Sequence, residues 1–120
     1  MLIGGTGGEA TVTPPAAEDV SGNPVSEINA GEQVILTTAV TNENAQSQPF
    51  VALIEVRDSN DITVYLAWQT GTLPANGRAD IGLSWTPDFA DTYEVRTFVI
   101  SSLSSPQILS EIATSQITVN

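Results

Sequence analysis

The side chains of this sequence that could bind a small ligand or ion are oxygen donors gathered in two short segments. Asp58, Asn60 and Asp61 form one group, and Asp88 and Asp91 form another. Carboxylate and amide oxygens are the ligands that Ca²⁺ prefers, so a calcium site built from these five residues is one hypothesis. Ordinary turn chemistry is the alternative, because Asp and Asn side chains bond to nearby backbone groups in turns. The first group lacks the Gly and the distal Glu of an EF-hand loop.

Most other catalytic chemistry is excluded by missing residue types. The chain of 120 residues contains no His, no Cys and no Lys. A serine nucleophile therefore lacks its usual base, and zinc lacks its usual ligands. Paired carboxylates could in principle hydrolyse a glycosidic bond, but the acidic residues fall in turns and on outward strand positions. We therefore predict that the chain is not an enzyme and needs no cofactor, with calcium as the alternative.

The charge balance restricts the partners. Fourteen acidic residues stand against three basic ones, for a net charge of −11. Nucleic acid and anionic membranes require clustered positive charge, so neither is expected as a partner. The apolar runs are too short for a transmembrane helix, so direct membrane insertion is not expected either. Such acidity suits an extracellular or cell-surface location, although solubility alone would also account for it.

The elements that must position these residues are short strands. No window keeps the apolar period of a helix, and several strands alternate with turns rich in Gly, Pro, Asn and Asp. This pattern predicts an all-β, immunoglobulin-like antiparallel β-sandwich of about seven strands. Residues 1–16 are predicted to be a flexible Gly-rich tail with a short strand, and residues 17–120 to be the sandwich.

Two of the predicted strands are apolar on both faces. Successive side chains of a strand point to opposite faces. In residues 93–100, Phe98 and Ile100 oppose the face that carries Tyr93, Val95 and Val99. A half-buried strand normally keeps its outer face polar, so something is expected to cover this one.

The second such strand, residues 50–58, places Val51 and Leu53 on its outward face. If the two strands pair, as in immunoglobulin-like sandwiches, their outward side chains form one apolar patch. Exposed apolar clusters commonly mark interfaces. Two alternatives remain: residues 1–28 fold back over the patch, or the inward and outward assignment is wrong. The predicted interface consists of Val51, Leu53, Tyr65, Phe98 and Ile100.

A family resemblance rests on four segments: Pro49–Asn60, Thr63–Trp68, Leu83–Pro87 and Tyr93–Val95. They resemble the immunoglobulin-like modules, adhesion and CARDB-type, of secreted archaeal surface proteins, over about residues 17–119. The resemblance implies a non-catalytic module that often lies in tandem in envelope or adhesin proteins. The chain departs from the pattern in two turns. The first ends with Asp61 where the family has Gly, and Ala90-Asp91-Thr92 replaces the family's small residue before the Tyr.

We expect an extracellular structural module that self-associates in a cell-surface assembly or filament, with copies of itself or neighbouring surface proteins as partners. Main-chain hydrogen bonds allow a sandwich to accept a strand from a neighbour. The predicted donor strand consists of Glu9, Ala10, Thr11, Val12 and Thr13. The alternative is a carbohydrate- or calcium-binding adhesion module of a larger surface protein. Its aromatic candidates are Trp68 and Trp85, although Trp85 shares a face with Ile81 and Leu83 and is therefore expected in the core.

Overall fold

The computed structural model describes residues 9–120, and this part of the chain forms ten β-strands. Residues 9–120 contain no helix long and apolar enough to cross a membrane. The strands are β1 (Ala10–Val12), β2 (Ala16–Glu18), β3 (Pro24–Val25), β4 (Glu27–Ile28), β5 (Val34–Asn42), β6 (Gln48–Arg57), β7 (Thr63–Leu73), β8 (Arg78–Trp85), β9 (Asp91–Ile100) and β10 (Ala113–Val119).

The strands build two five-stranded sheets. In sheet one, β5 pairs with β8 on one side and with both β1 and β2 on the other, and β3 pairs with β2. Sheet two has the order β4-β10-β9-β6-β7. Every pairing is antiparallel except that of β4 with β10. The predicted immunoglobulin-like antiparallel sandwich is therefore confirmed.

The N-terminal part of sheet one explains why there are ten strands rather than about seven. β1 pairs with residues 40–42 of β5, and β2 pairs with residues 35–37 of the same strand. Pro14 and Pro15 lie between them and have no backbone N–H to donate, so pairing is interrupted there. Sheet one already includes Ala10, which is 3% exposed, whereas the sequence places the start of the sandwich at residue 17. Met1–Gly8 lie outside the described residues.

Two clusters of buried side chains fill the space between the sheets. One is centred on Trp85, whose ring lies 5.1 Å from that of Tyr93 in an edge-on arrangement. The hydroxyl of Tyr93 donates a hydrogen bond of 2.6 Å to the carbonyl oxygen of Phe89. This bond from the start of a strand back to the preceding corner is typical of immunoglobulin-like sandwiches. Trp85 is therefore a core residue, as its sequence position predicts.

β7 continues to Leu73 because residues 69–73 keep pairing with residues 48–52 of β6. The last strand, β10, begins at Ala113. Before it, Ile108 forms only an isolated bridge with Ile100.

Candidate functional site

The outer face of sheet two carries a contiguous group of apolar side chains. β6 and β9 pair as the sequence predicts, with Leu53 opposite Phe98 and Val51 opposite Ile100. Neither these four residues nor their outer-face neighbours belong to the two core clusters. The group extends to Trp68, which lies opposite Leu53 on β7. We name it the outer apolar patch, and it consists of Val51, Leu53, Leu66, Trp68, Phe98, Ile100 and Ile108.

The patch has a buried centre and an exposed margin. Val51 and Leu53 are only 3% and 7% exposed because the side chains on the flanking strands cover them. Leu66, Trp68 and Ile108 are 49%, 48% and 52% exposed. Three large apolar side chains on one sheet face thus remain in contact with water, and exposed apolar clusters of this kind commonly mark interfaces.

The structure corrects the predicted interface at Tyr65. The pairing of β6 with β7 shifts between Val56 and Arg57, and Tyr65 lies opposite Val56, which faces the core. The Tyr65 ring packs 6.3 Å from that of Trp85, and its hydroxyl donates to the carbonyl oxygen of Ser84 at 2.7 Å. Tyr65 therefore points inward. Leu66 and Trp68, which have the opposite phase on β7, occupy the outer face instead.

An ion-pair cluster borders the patch on the same face. The Glu55 carboxylate lies 3.2 Å from Nε of Arg57 and 3.2 Å from Nε of Arg96. The Thr63 hydroxyl also donates to Glu55 at 2.5 Å. Burial alone raises the pKa of Glu55, but the hydrogen bonds from Thr63 and Arg57 and the charges of Arg57 and Arg96 outweigh it and hold the pKa below its usual range. Two of the three arginines of the chain thus form ion pairs on this face.

The described part of the N-terminal segment does not cover the patch. β1, β2 and β3 belong to sheet one, and β4 lies beyond β10 at the edge of sheet two opposite to β7. Residues 9–28 therefore do not lie over the patch, and the alternative in which residues 1–28 fold back over it does not hold for this part of the segment.

The predicted donor strand lies in its own sandwich. Ala10–Val12 pair with β5, and Ala10 also donates its N–H to the carbonyl oxygen of Leu109 at 2.9 Å. The N–H of Glu43 donates to the carbonyl oxygen of Glu9, and the hydroxyl of Thr13 accepts the N–H of Ala39, both at 2.9 Å. The segment is thus held by backbone contacts of the kind that an exchanged strand would make.

The two acidic turns meet at one end of the sandwich but are engaged in turn hydrogen bonds. Ser59 donates its N–H and its hydroxyl to Oδ2 of Asp91, at 3.1 and 2.9 Å. These bonds, the backbone one first, hold the pKa of Asp91 below its usual range. Oδ1 of Asp58 accepts the N–H groups of Asn60 and Ile62 at 2.9 and 3.0 Å.

Asp61 has a left-handed backbone conformation in the first turn. Its φ is 62°, a conformation that Asp and Asn tolerate better than most residues, and it stands where the resembling family has Gly. Among residues 9–120, no group of three or more Asp, Glu, His or Cys side chains is close enough to hold a metal ion. The carboxylates of Asp58 and Asp91 are thus engaged in turn hydrogen bonds.

The sequence matches no known protein-family model and no curated protein. Its structure is similar to the C-terminal domain of Wzt, with a TM-score of 0.81 and 11% identity, over 94% of this chain and 74% of that one. It is also similar to the CARDB domain of the PF1109 protein from Pyrococcus furiosus, described in complex with two metal ions. That match has a TM-score of 0.68 and 13% identity, over 100% of this chain and 95% of that one.

A third similar structure is a cycloisomaltooligosaccharide glucanotransferase from Paenibacillus, complexed with cycloisomaltoheptaose. The TM-score is 0.70 and the identity 17%, over 92% of this chain but only 14% of that one. At these identities the likeness concerns the fold. The chain is an immunoglobulin-like β-sandwich similar to CARDB-type modules.

Proposed function

We propose that the chain is a non-catalytic structural module that self-associates through the outer apolar patch within an extracellular assembly. The observation that carries this proposal is the half-exposed margin of the patch, at Leu66, Trp68 and Ile108. Burying one such side chain fully stabilises a complex by about 1.5–3 kcal/mol, so a contact that covers several of them has a substantial driving force.

The chemistry of the remaining surface supports a structural role. The chain has no His, Cys or Lys to act as a base or nucleophile. The carboxylates of Asp58 and Asp91 accept turn hydrogen bonds, and that of Glu55 is paired with two arginines. The net charge of −11 suits a protein that stays dispersed outside the cell until a specific contact forms.

Exchange of the N-terminal strand is a second contact that would extend such an assembly. Because β1 holds its own β5 mainly through backbone bonds, the same bonds can form with a neighbour's β5. A contact between two different surfaces propagates from copy to copy, whereas a contact between identical surfaces closes a dimer. The patch would give dimers, and strand exchange would join them into a filament.

Deletion of Met1–Pro14 separates these two contacts. We expect the truncated chain to remain a dimer and to lose filaments in negative-stain electron microscopy, because the edge of β5 beside Val40 is left without a donor. A synthetic peptide of residues 1–14, added in trans, is the matched control and should bind the vacated edge. A truncated chain that forms filaments as readily as the full chain would rule out strand exchange.

A binding module for carbohydrate or calcium is the second candidate, and one observation favours the carbohydrate version. The Trp68 ring is 48% exposed on an open sheet face, where a sugar ring could stack on it. On our proposal, neither Ca²⁺ nor soluble oligosaccharides should change the melting temperature. A bound ligand at one hundred times its Kd stabilises the folded state by about 2.7 kcal/mol, so a clear rise with either additive would favour the binding module.

A further inference from the structure

β7 is a long edge strand without charge. It is the outermost strand of sheet two and pairs only with β6. Residues 63–72 make no backbone hydrogen bond to any other segment of the described chain. The strand is 11 residues long and contains no Asp, Glu, Lys or Arg, although the chain carries 17 charged residues in all. Alternate N–H and C=O groups along β7 therefore face solvent unpaired.

The other sheet edges are protected in ways that β7 is not. Natural proteins usually shorten their edge strands or place charges on them to prevent pairing between molecules. β8, the free edge of sheet one, carries Arg78 and Asp80, whose side chains are 62% and 85% exposed. β3 and β4 are each two residues long. β7 alone among the described edge strands is both long and uncharged.

Exposed apolar side chains are concentrated along the same edge. Nine large hydrophobic side chains are exposed among residues 9–120, and four of them lie within seven residues at this edge: Ile62, Val64, Leu66 and Trp68. Two of them, Leu66 and Trp68, are also part of the outer apolar patch. The patch thus reaches the unpaired edge of its sheet, and an added strand would pair with that edge and pack against Leu66 and Trp68.

We propose that β7 pairs antiparallel with β7 of a second copy, about a two-fold axis at Ala67, to join the two five-stranded sheets into one sheet of ten strands. This inference rests on the proposed self-association and adds to the patch contact a further one, at the edge of the same sheet. The sequence around Ala67 selects a second copy as the occupant, because Leu66 and Trp68 pair with each other across a two-fold axis. The uncharged edge is also where two chains of net charge −11 repel each other least.

The sequence around Ala67 is self-complementary in this register. Leu66 of each copy lies opposite Trp68 of the other, on the outer face, so two apolar cross-strand pairs form around the axis. Two-fold symmetry requires such reciprocal pairing of one surface with itself. The outer apolar patches of the two copies become continuous across the new pair of strands.

Disulfide trapping tests the register, because the natural chain has no Cys and every disulfide of a single-Cys variant must link two molecules. Opposed Cα atoms in an antiparallel pair are about 4.5–5.5 Å apart, within the range that a disulfide spans. Ala67→Cys should therefore give mostly covalent dimer under mild oxidation on a non-reducing gel. Gln69→Cys is the matched control, because its two copies would lie four residues apart along the strand, roughly 14 Å.

A second variant leaves Ala67 unchanged. In the same register, Val64 of one copy lies opposite Thr70 of the other. The double variant Val64→Cys/Thr70→Cys should therefore form covalent dimers, whereas each single substitution should not. The β7 geometry is supported if Ala67→Cys and the double variant crosslink and the control variants do not. If all variants crosslink alike, or none does, while the natural chain is still a dimer in sedimentation velocity, the β7 pairing is wrong and self-association stands. A natural chain that sediments as a monomer overturns both.

Discussion

Replacing both Phe98 and Ile100 with serine is expected to leave the sandwich folded and to weaken self-association by at least about tenfold. Both residues lie on the outer face of sheet two and outside the core clusters. Tenfold corresponds to about 1.4 kcal/mol, which is less than the transfer free energy of one fully buried large apolar side chain. Sedimentation velocity over a concentration series measures the change in dissociation constant, and circular dichroism reports the fold.

The matched control for this variant is Val20→Ser. Val20 is 73% exposed in a turn between β2 and β3, away from sheet two, so its replacement removes an exposed apolar side chain without touching the patch. We expect it to associate like the natural chain. If Phe98→Ser/Ile100→Ser unfolds instead, the two residues contribute to the core and the assignment of the outer face is wrong.

Replacing Trp85 with alanine is expected to lower the free energy of unfolding by about 3–5 kcal/mol. Trp85 is 6% exposed and contacts Tyr65 and Tyr93, so its removal leaves a cavity at the centre of one core cluster. A domain is usually stable by only about 5–15 kcal/mol, so this single change takes away much of the total. Urea unfolding followed by circular dichroism measures the loss.

Trp68→Ala is the matched control for the core, because it removes the same side chain from a half-exposed position. Its effect on the monomer should be clearly smaller than that of Trp85→Ala. Equal losses for the two tryptophans would contradict the separation of core from outer face on which the proposed function depends.

The sequence predicted the inner and outer faces of β6 and β9 because a strand alternates with a strict period of two. Once Phe50 and Val99 are assigned to the core, Val51 and Phe98 must face outward, and the observed pairing of the two strands agrees. The inward position of Trp85 follows from the same alternation, since it shares a face with Ile81.

The same rule failed where the pairing between strands is irregular. The shift between Val56 and Arg57 decides which face of β7 meets the core, and no pattern within β7 itself reveals it. Tyr65 has apolar neighbours on both sides in the sequence, so its inward position depends on Trp85, 20 residues further along the chain. Alternation does link the faces of these residues: once Tyr65 is assigned to the inner face, Leu66 and Trp68 must both lie on the outer face.

The acidic turns show a different limit of sequence reasoning. The grouping of Asp58, Asn60 and Asp61 fits both a cation site and a hydrogen-bonded turn, because both use the same oxygen atoms. Only the three-dimensional positions of the donors, such as the N–H groups of Ser59 and Ile62, distinguish the two.

The mass of the full chain in solution, measured by light scattering coupled to size exclusion over a concentration series, tests self-association most directly. We expect a mass that rises with concentration above that of one chain, and a clearly smaller rise for Phe98→Ser/Ile100→Ser at the same concentrations. A constant mass of one chain at every concentration would contradict self-association.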